Sequence, residues 1–164
     1  MKSLFIIIVI ILGCLNAVMA YDAITGKVIT VVDGTTVEVQ AADKQIYKVR
    51  LSGIESPELT QEYGEDARKL LEKLVLEKSV TIKIVGKDRS GRYLGEMMID
   101  GKVDPRIELL KQGLTWTSEK SPSPDLEEYR AKAQQRGKGL WKQADPTPPW
   151  IYRRQQSMLQ PKSI

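Results

Sequence analysis

Histidine is absent from this chain, and cysteine and phenylalanine occur once each. Without an imidazole there is no histidine general base and no Ser-His-Asp or Cys-His triad. With a single thiol, zinc sites built from His and Cys are excluded as well. A lone cysteine closes no intrachain disulfide, so stability must come from a packed core, which a chain of 164 residues can supply. Any catalysis therefore rests on carboxylates, arginines and, if a metal takes part, a hard one.

Long apolar runs are also scarce. Residues 4–12 form one, but it is too short to span a bilayer comfortably and no charged stop follows it. With Lys2 before it and Val18-Met19-Ala20 after it, the segment reads as an export leader cleaved ahead of Tyr21. Ile11-Leu12-Gly13-Cys14 resembles a lipobox, which would lipidate Cys14 and tether the chain to a membrane. The small residues before Tyr21 favour ordinary cleavage, hence a secreted or periplasmic protein without cysteine. The chain has 25 basic and 21 acidic side chains, a formal net charge of +4. Loss of Lys2 would leave about +3, compatible with a polyanionic partner without requiring one.

The remainder divides into a domain over residues 21–143 and a tail over 144–164 that is proline-rich, then basic and polar, and is expected to be only partly ordered. Residues 27–32 alternate as a strand, with Val28, Thr30 and Val32 on one side and Ile29 and Val31 on the other. Asp33-Gly34 is a hairpin signal, and Val37 and Val39 face inward on the returning strand. Tyr47, Val49 and Leu51 alternate with Lys48, Arg50 and Ser52, which puts Arg50 on the face opposite the core. A helix is expected from about Glu62, because Tyr63, Ala67, Leu70, Leu71 and Leu74 recur at helical spacing. Two more strands follow, through Val80, Ile82 and Ile84 and over residues 93–99. A short helix through Ile107, Leu109 and Leu110 should stop at Gly113, and a polar one over residues 125–136 should stop at Gly137 and Gly139. Leu140-Trp141 is expected to fold back onto the core. Five strands and about three helices fit an α+β fold, a small β-barrel carrying helices.

The segment from Arg50 to Glu58 brings an arginine and the carboxylates of Glu55 and Glu58 into one strand-to-loop stretch, and Arg92 comes from the separate hairpin Asp88-Arg89-Ser90-Gly91-Arg92. Two guanidinium groups about a carboxylate suit the holding of a phosphodiester while water attacks it. Each residue alone has an ordinary explanation. Arg50 could be a solvated strand residue, Ser56-Pro57-Glu58 a helix start, Asp33-Gly34 a turn, and Arg92 surface charge. Only their combination points to chemistry.

That combination resembles the staphylococcal nuclease (thermonuclease) family. The matching stretches are Val32-Asp33-Gly34-Thr35-Thr36-Val37, Val49-Arg50-Leu51, Ile54-Glu55-Ser56-Pro57-Glu58, and Tyr63-Gly64 with Ala67. Asp88 to Arg92, Leu110-Lys111-Gln112-Gly113-Leu114 and Gly137-Lys138-Gly139-Leu140-Trp141 follow in the family's order, over roughly residues 25–142. The resemblance implies an OB-fold nuclease that hydrolyses DNA and RNA with calcium, single strands favoured, as a monomer with no obligate protein partner. It assigns the scissile phosphate to Arg50 and Arg92, and the positioning and deprotonation of the attacking water to Glu58. It assigns the metal to the positions of Thr35, Glu55 and Ser56. The family typically has aspartate at the first two, and at the third a threonine that contributes its backbone carbonyl. Thr35 lacks the negative charge, so weaker or altered calcium binding is expected.

Lys87, Arg89 and Arg92 form a basic edge for substrate. Trp116 or Tyr93 could stack on a base or pack into the fold. Ser90 occupies a position where some members carry a tyrosine, and Trp141 and Trp150 read as structural. The rival expectation is a non-catalytic OB module that binds single-stranded nucleic acid. Thr35 favours it; the retained Arg50, Glu58 and Arg92 argue against it.

Overall fold

The computed structural model describes residues 23–159. The leader, Cys14 and the cleavage point before Tyr21 lie outside the described residues. Five strands close a barrel in the order β1-β2-β3-β6-β5: β1 (Ala23–Val31), β2 (Thr36–Ala41), β3 (Ile46–Leu51), β5 (Ser79–Lys87) and β6 (Tyr93–Ile99). All pairings are antiparallel except β3 with β6, where Arg50 lies beside Leu94 and Leu51 beside Gly95. A two-residue strand β4 (Ile54–Glu55) pairs with β7 (Trp116–Thr117) outside the barrel. This is the closed five-stranded OB architecture in an α+β fold.

Alternating side chains fill the barrel. Val28, Val37, Val39, Val49, Ile82 and Met97 are fully buried. The strand β1 departs from simple alternation: the pairing with β2 shifts between Val28 and Thr30, and Val31 turns inward while Thr30 is exposed. The extra residue of a β-bulge reverses the facing of the residues beyond it, so the expected grouping of Val28, Thr30 and Val32 does not hold.

Helix α1 (Gly64–Val75) buries Ala67, Leu71 and Val75 against the barrel end, and α2 (Pro105–Lys111) buries Leu109 and Leu110. Asp104 caps α2 by accepting from the Arg106 N–H, with Pro105 in its first turn. Helix α3 (Pro124–Gln135) and the 3-10 turn Gly139–Lys142 follow, and Leu140 is buried.

A fourth helix, α4 (Pro149–Leu159), forms where the sequence suggests a partly ordered tail. Proline is well placed in a helix's first turn, and Pro149 is buried. Trp150 meets Trp116 edge-to-face at 5.9 Å, and Tyr152 Oη lies 2.9 Å from Thr60 Oγ1. The described residues thus carry four α-helices rather than three.

Candidate active site

The site is assembled on the stretch where β3 leaves the barrel. Arg50 pairs with Thr36 on one side and Leu94 on the other, so its backbone is fixed by two neighbouring strands. Its side chain points away from the core, as the alternation requires, and Nη2 donates to Glu55 Oε2 at 3.3 Å. After Gly53 the chain enters β4, where Glu55 pairs with Trp116 and is 8% exposed.

Arg106 steadies the turn between β3 and β4. Its Nη1 donates to the Ser52 carbonyl at 3.1 Å, while Nε and Nη2 grip the Asp104 carboxylate at 3.0 and 2.7 Å. Two packing constraints then place Ser56 and Glu58. A Cβ on Gly34 would come within 2.7 Å of the Cβ atoms of Ser56 and Ala67. A Cβ on Gly64 would come within 2.0 Å of the Glu58 carbonyl oxygen. Glycine at both positions lets the turn after β1 and the start of α1 close on the carboxylate-bearing segment. Ser56-Pro57-Glu58 is a loop and not a helix start. Gln61 holds its end, accepting from the Glu58 N–H at 2.9 Å.

Arg92 arrives from the turn between β5 and β6. Asp88 shapes that turn by accepting from the Ser90 and Arg92 N–H groups at 2.9 and 3.1 Å, and it takes the Arg92 Nε at 2.6 Å. Burial pushes the Asp88 carboxyl up, but the hydrogen bonds from Arg92 and Ser90 outweigh it and hold the group below the ordinary carboxylate value. Lys87 and Arg89 flank the turn, with Lys87 Nζ lying 4.4 Å from the centre of the Tyr93 ring.

Arg50, Glu55, Lys87, Arg89 and Arg92 line one open groove of about 1220 Å³. The structure therefore brings together the two phosphate arginines expected from sequence, one of the carboxylates and the basic edge. Glu58 joins this group through another arginine, Arg153 of α4. Arg153 Nη1 donates to Glu58 Oε1 at 2.8 Å and Nη2 to Glu55 Oε2 at 2.7 Å. Burial lowers the Arg153 pKa, but the bonds to Glu55 and Glu58 outweigh it and raise it above the ordinary guanidinium value, so this group stays charged.

Sequence patterning does not find Arg153. The only signal is a basic pair, Arg153-Arg154, in a polar segment. Several contacts bind the same segment to the loop after Glu58. Gln61 Nε2 donates to the Thr147 carbonyl at 3.1 Å, and Gln143 Nε2 to Glu62 at 2.7 Å.

Thr35 lies beside the site, its carbonyl accepting from the Leu51 N–H at 2.8 Å, whereas Trp116 is engaged in packing. Thr35 is 3% exposed in the turn after β1, and both its N–H and its hydroxyl donate to Asp33 Oδ1, at 2.8 and 3.1 Å. Trp116 packs edge-to-face on Trp141 at 4.6 Å and on Trp150, from the strand paired with the one that carries Glu55. Trp150, read as structural, is the indole that lines the groove.

The sequence profile of the family described as staphylococcal nuclease homologue matches residues 48–143. An "Uncharacterized endonuclease" of Escherichia coli O157:H7 is 36% identical over 131 residues, covering 79% of this chain and 85% of that protein. An "Uncharacterized endonuclease" of Haemophilus influenzae is 31% identical over 159 residues, covering 96% and 86% of the two chains. A rice protein named "Probable staphylococcal-like nuclease CAN1" is 37% identical over 109 residues, which is 66% of this chain and 33% of that protein. The profile match includes Arg50, Glu55, Glu58 and Arg92 and leaves out Thr35 and Arg153.

Proposed function

Because the chain belongs to the staphylococcal nuclease family, we propose that it is an exported endonuclease that hydrolyses phosphodiester bonds of DNA and RNA, single strands favoured. The observation that carries this reading is the shared groove, which is lined by Arg92 and by Arg50 with its partner Glu55, while Lys87 and Arg89 extend the positive edge. Guanidinium groups match phosphate oxygens bidentately and keep their charge at any working pH. Because Asp88 holds Arg92 through Nε, its two Nη groups are the ones offered to a phosphate.

In the proposed reaction Glu58 accepts a proton from water as the water oxygen bonds to phosphorus. The bond from phosphorus to the leaving oxygen breaks, and that oxygen takes a proton from solvent. Arg50 and Arg92 stabilise the charge that builds on the non-bridging oxygens, where fixed donors lower a barrier most effectively.

The family generally uses calcium, and calcium takes six to eight oxygen ligands rich in carboxylate. The oxygens gathered here do not match that demand. Glu55 Oε2 accepts from both Arg50 and Arg153, and Thr35 offers only a neutral hydroxyl where a calcium site favours a carboxylate. Among the described residues no group of three or more acidic, histidine or cysteine side chains is placed to hold a metal.

Cleavage of single-stranded DNA and RNA, with calcium and with a chelator, beside the Glu58→Gln variant, tests the reading. Cleavage that requires Glu58 supports it. Binding without cleavage under every condition replaces it with a nucleic-acid-binding module. Mass spectrometry of the mature N-terminus tests export, with a free Tyr21 expected and a lipidated Cys14 as the contrary result.

A further inference from the structure

Arg153 is a charged group of the groove that the nuclease reading leaves unused, and it touches both Glu55 and Glu58. Its two terminal nitrogens each serve a different carboxylate, Nη2 on Glu55 and Nη1 on Glu58, so the guanidinium spans the pair. Two carboxylates brought together repel unless a cation lies between them. A guanidinium or a divalent ion can supply that charge, but not both at once. One oxygen of Glu55, Oε2, already accepts from Arg153, and a dication set against Arg153 would meet a like charge.

The seat of Arg153 is a built one. Pro149 is buried before it, Trp150 packs on Trp116, and the neighbouring Tyr152 reaches Thr60. The contacts of Trp150 and Tyr152 lead to the strand paired with β4 and to the segment between β4 and α1. The Arg153 side chain itself is 44% exposed, so it can leave its partners without opening the core.

We propose that Arg153 is a positioning residue of this site, whose guanidinium holds Glu55 and Glu58 together in place of a divalent cation, so that guanidinium and cation exclude one another there. Its effect on cleavage rests on the nuclease reading. The exclusion concerns cation binding and is measurable without any activity.

Calorimetric titration of calcium into the full chain and into Arg153→Met decides the exclusion. Arg153→Met is expected to bind calcium at least about tenfold more tightly, which is about 1.4 kcal/mol. The gain should vanish when Glu55→Gln is added. Arg153→Lys keeps the charge but cannot span both carboxylates, and should lie between wild type and Arg153→Met; it also serves if the methionine variant melts abnormally. Equal calcium affinity in the wild type and both variants overturns the proposal.

Cleavage of single-stranded DNA in a chelator tests the positioning role. Arg153→Met should lose at least about tenfold in kcat with KM little changed. Added calcium should restore the rate. A rate in chelator unchanged from wild type overturns that role. If the wild type and every variant fail to cleave under any condition, the nuclease reading fails, and the calorimetry still decides the exclusion.

Discussion

Glu55 pairs with Trp116 across the two-residue ladder of β4 and β7, so the buried carboxylate of the site is backed by a cluster of three indoles, Trp116, Trp141 and Trp150. A strand of two residues has too few ladder bonds to fix itself. Its place is set by the packing of Trp116, and through Trp150 that packing also seats α4. Edge-to-face aromatic pairs contribute about 0.5–1.5 kcal/mol beyond their burial.

Trp150→Ala should therefore free α4 while the barrel stays folded. Amides of residues 149–159 are expected to exchange faster with deuterium, with protection of the barrel strands retained. Calcium affinity should move in the direction of Arg153→Met. Unchanged exchange across α4 would mean that the indole contact does not hold the helix.

Substitution of the proposed reacting groups should separate turnover from folding. Glu58→Gln removes the base, and a loss of on the order of 10²–10⁴ in kcat is expected with an unchanged melting temperature. Glu58 is half-exposed and lies outside the core, so little stability is at stake. Arg92→Ala should reduce kcat by on the order of 10²–10³, as removal of a fixed donor to developing charge does. Retention of full activity in both variants would remove the proposed mechanism.

The barrel was legible where its strands alternate without a bulge. Val37 and Val39 face inward, and Arg50 faces outward beside inward Val49 and Leu51. The bulge in β1 was not, since an extra residue changes pairing without leaving a mark in the pattern of Val28 to Val32. Arg50, Glu55 and Arg92 were found because each lies in a local motif, and local motifs fix local backbone. Arg153 is 98 residues from Glu55 in sequence and belongs to no motif. Its role comes from where α4 docks, which depends on Trp150 and Tyr152 meeting a surface made by β7 and the loop after Glu58. The polar run after Tyr152 hid the helix, because its stability derives from that docking and not from an apolar face of its own.

Gly34→Ala tests how tightly the turn after β1 closes on Ser56. The added methyl would meet the Cβ atoms of Ser56 and Ala67 at 2.7 Å, and one of these is on helix α1. Neither can yield without a backbone shift. A destabilisation of about 1–3 kcal/mol is expected, typical of overpacking. Because Ser56 lies between Glu55 and Glu58, kcat should fall too. Denaturant unfolding beside steady-state kinetics checks both, and a fully stable, fully active Gly34→Ala would show that the turn has slack.

The turn that carries Arg92 should have its own pH signature through Asp88. The folded-state pKa of Asp88 is depressed, so its contribution to stability is fully present above the ordinary carboxylate value and is lost as pH falls through the lower folded value. Hydrogen bonds from Ser90 and Arg92 are the cause, and Asp88→Asn keeps the shape while removing the charge that attracts Arg92. At about pH 6 the wild type should melt above Asp88→Asn, and the gap should close as the pH is taken down through the depressed folded value, where the wild-type carboxyl protonates. At neutral pH the same variant leaves Arg92 without its ionic anchor. Substrate KM is then expected to rise by roughly tenfold, the cost of a loosened phosphate ligand, with a smaller change in kcat. A melting gap that persists unchanged at acid pH would mean that Asp88 supports the turn by shape alone.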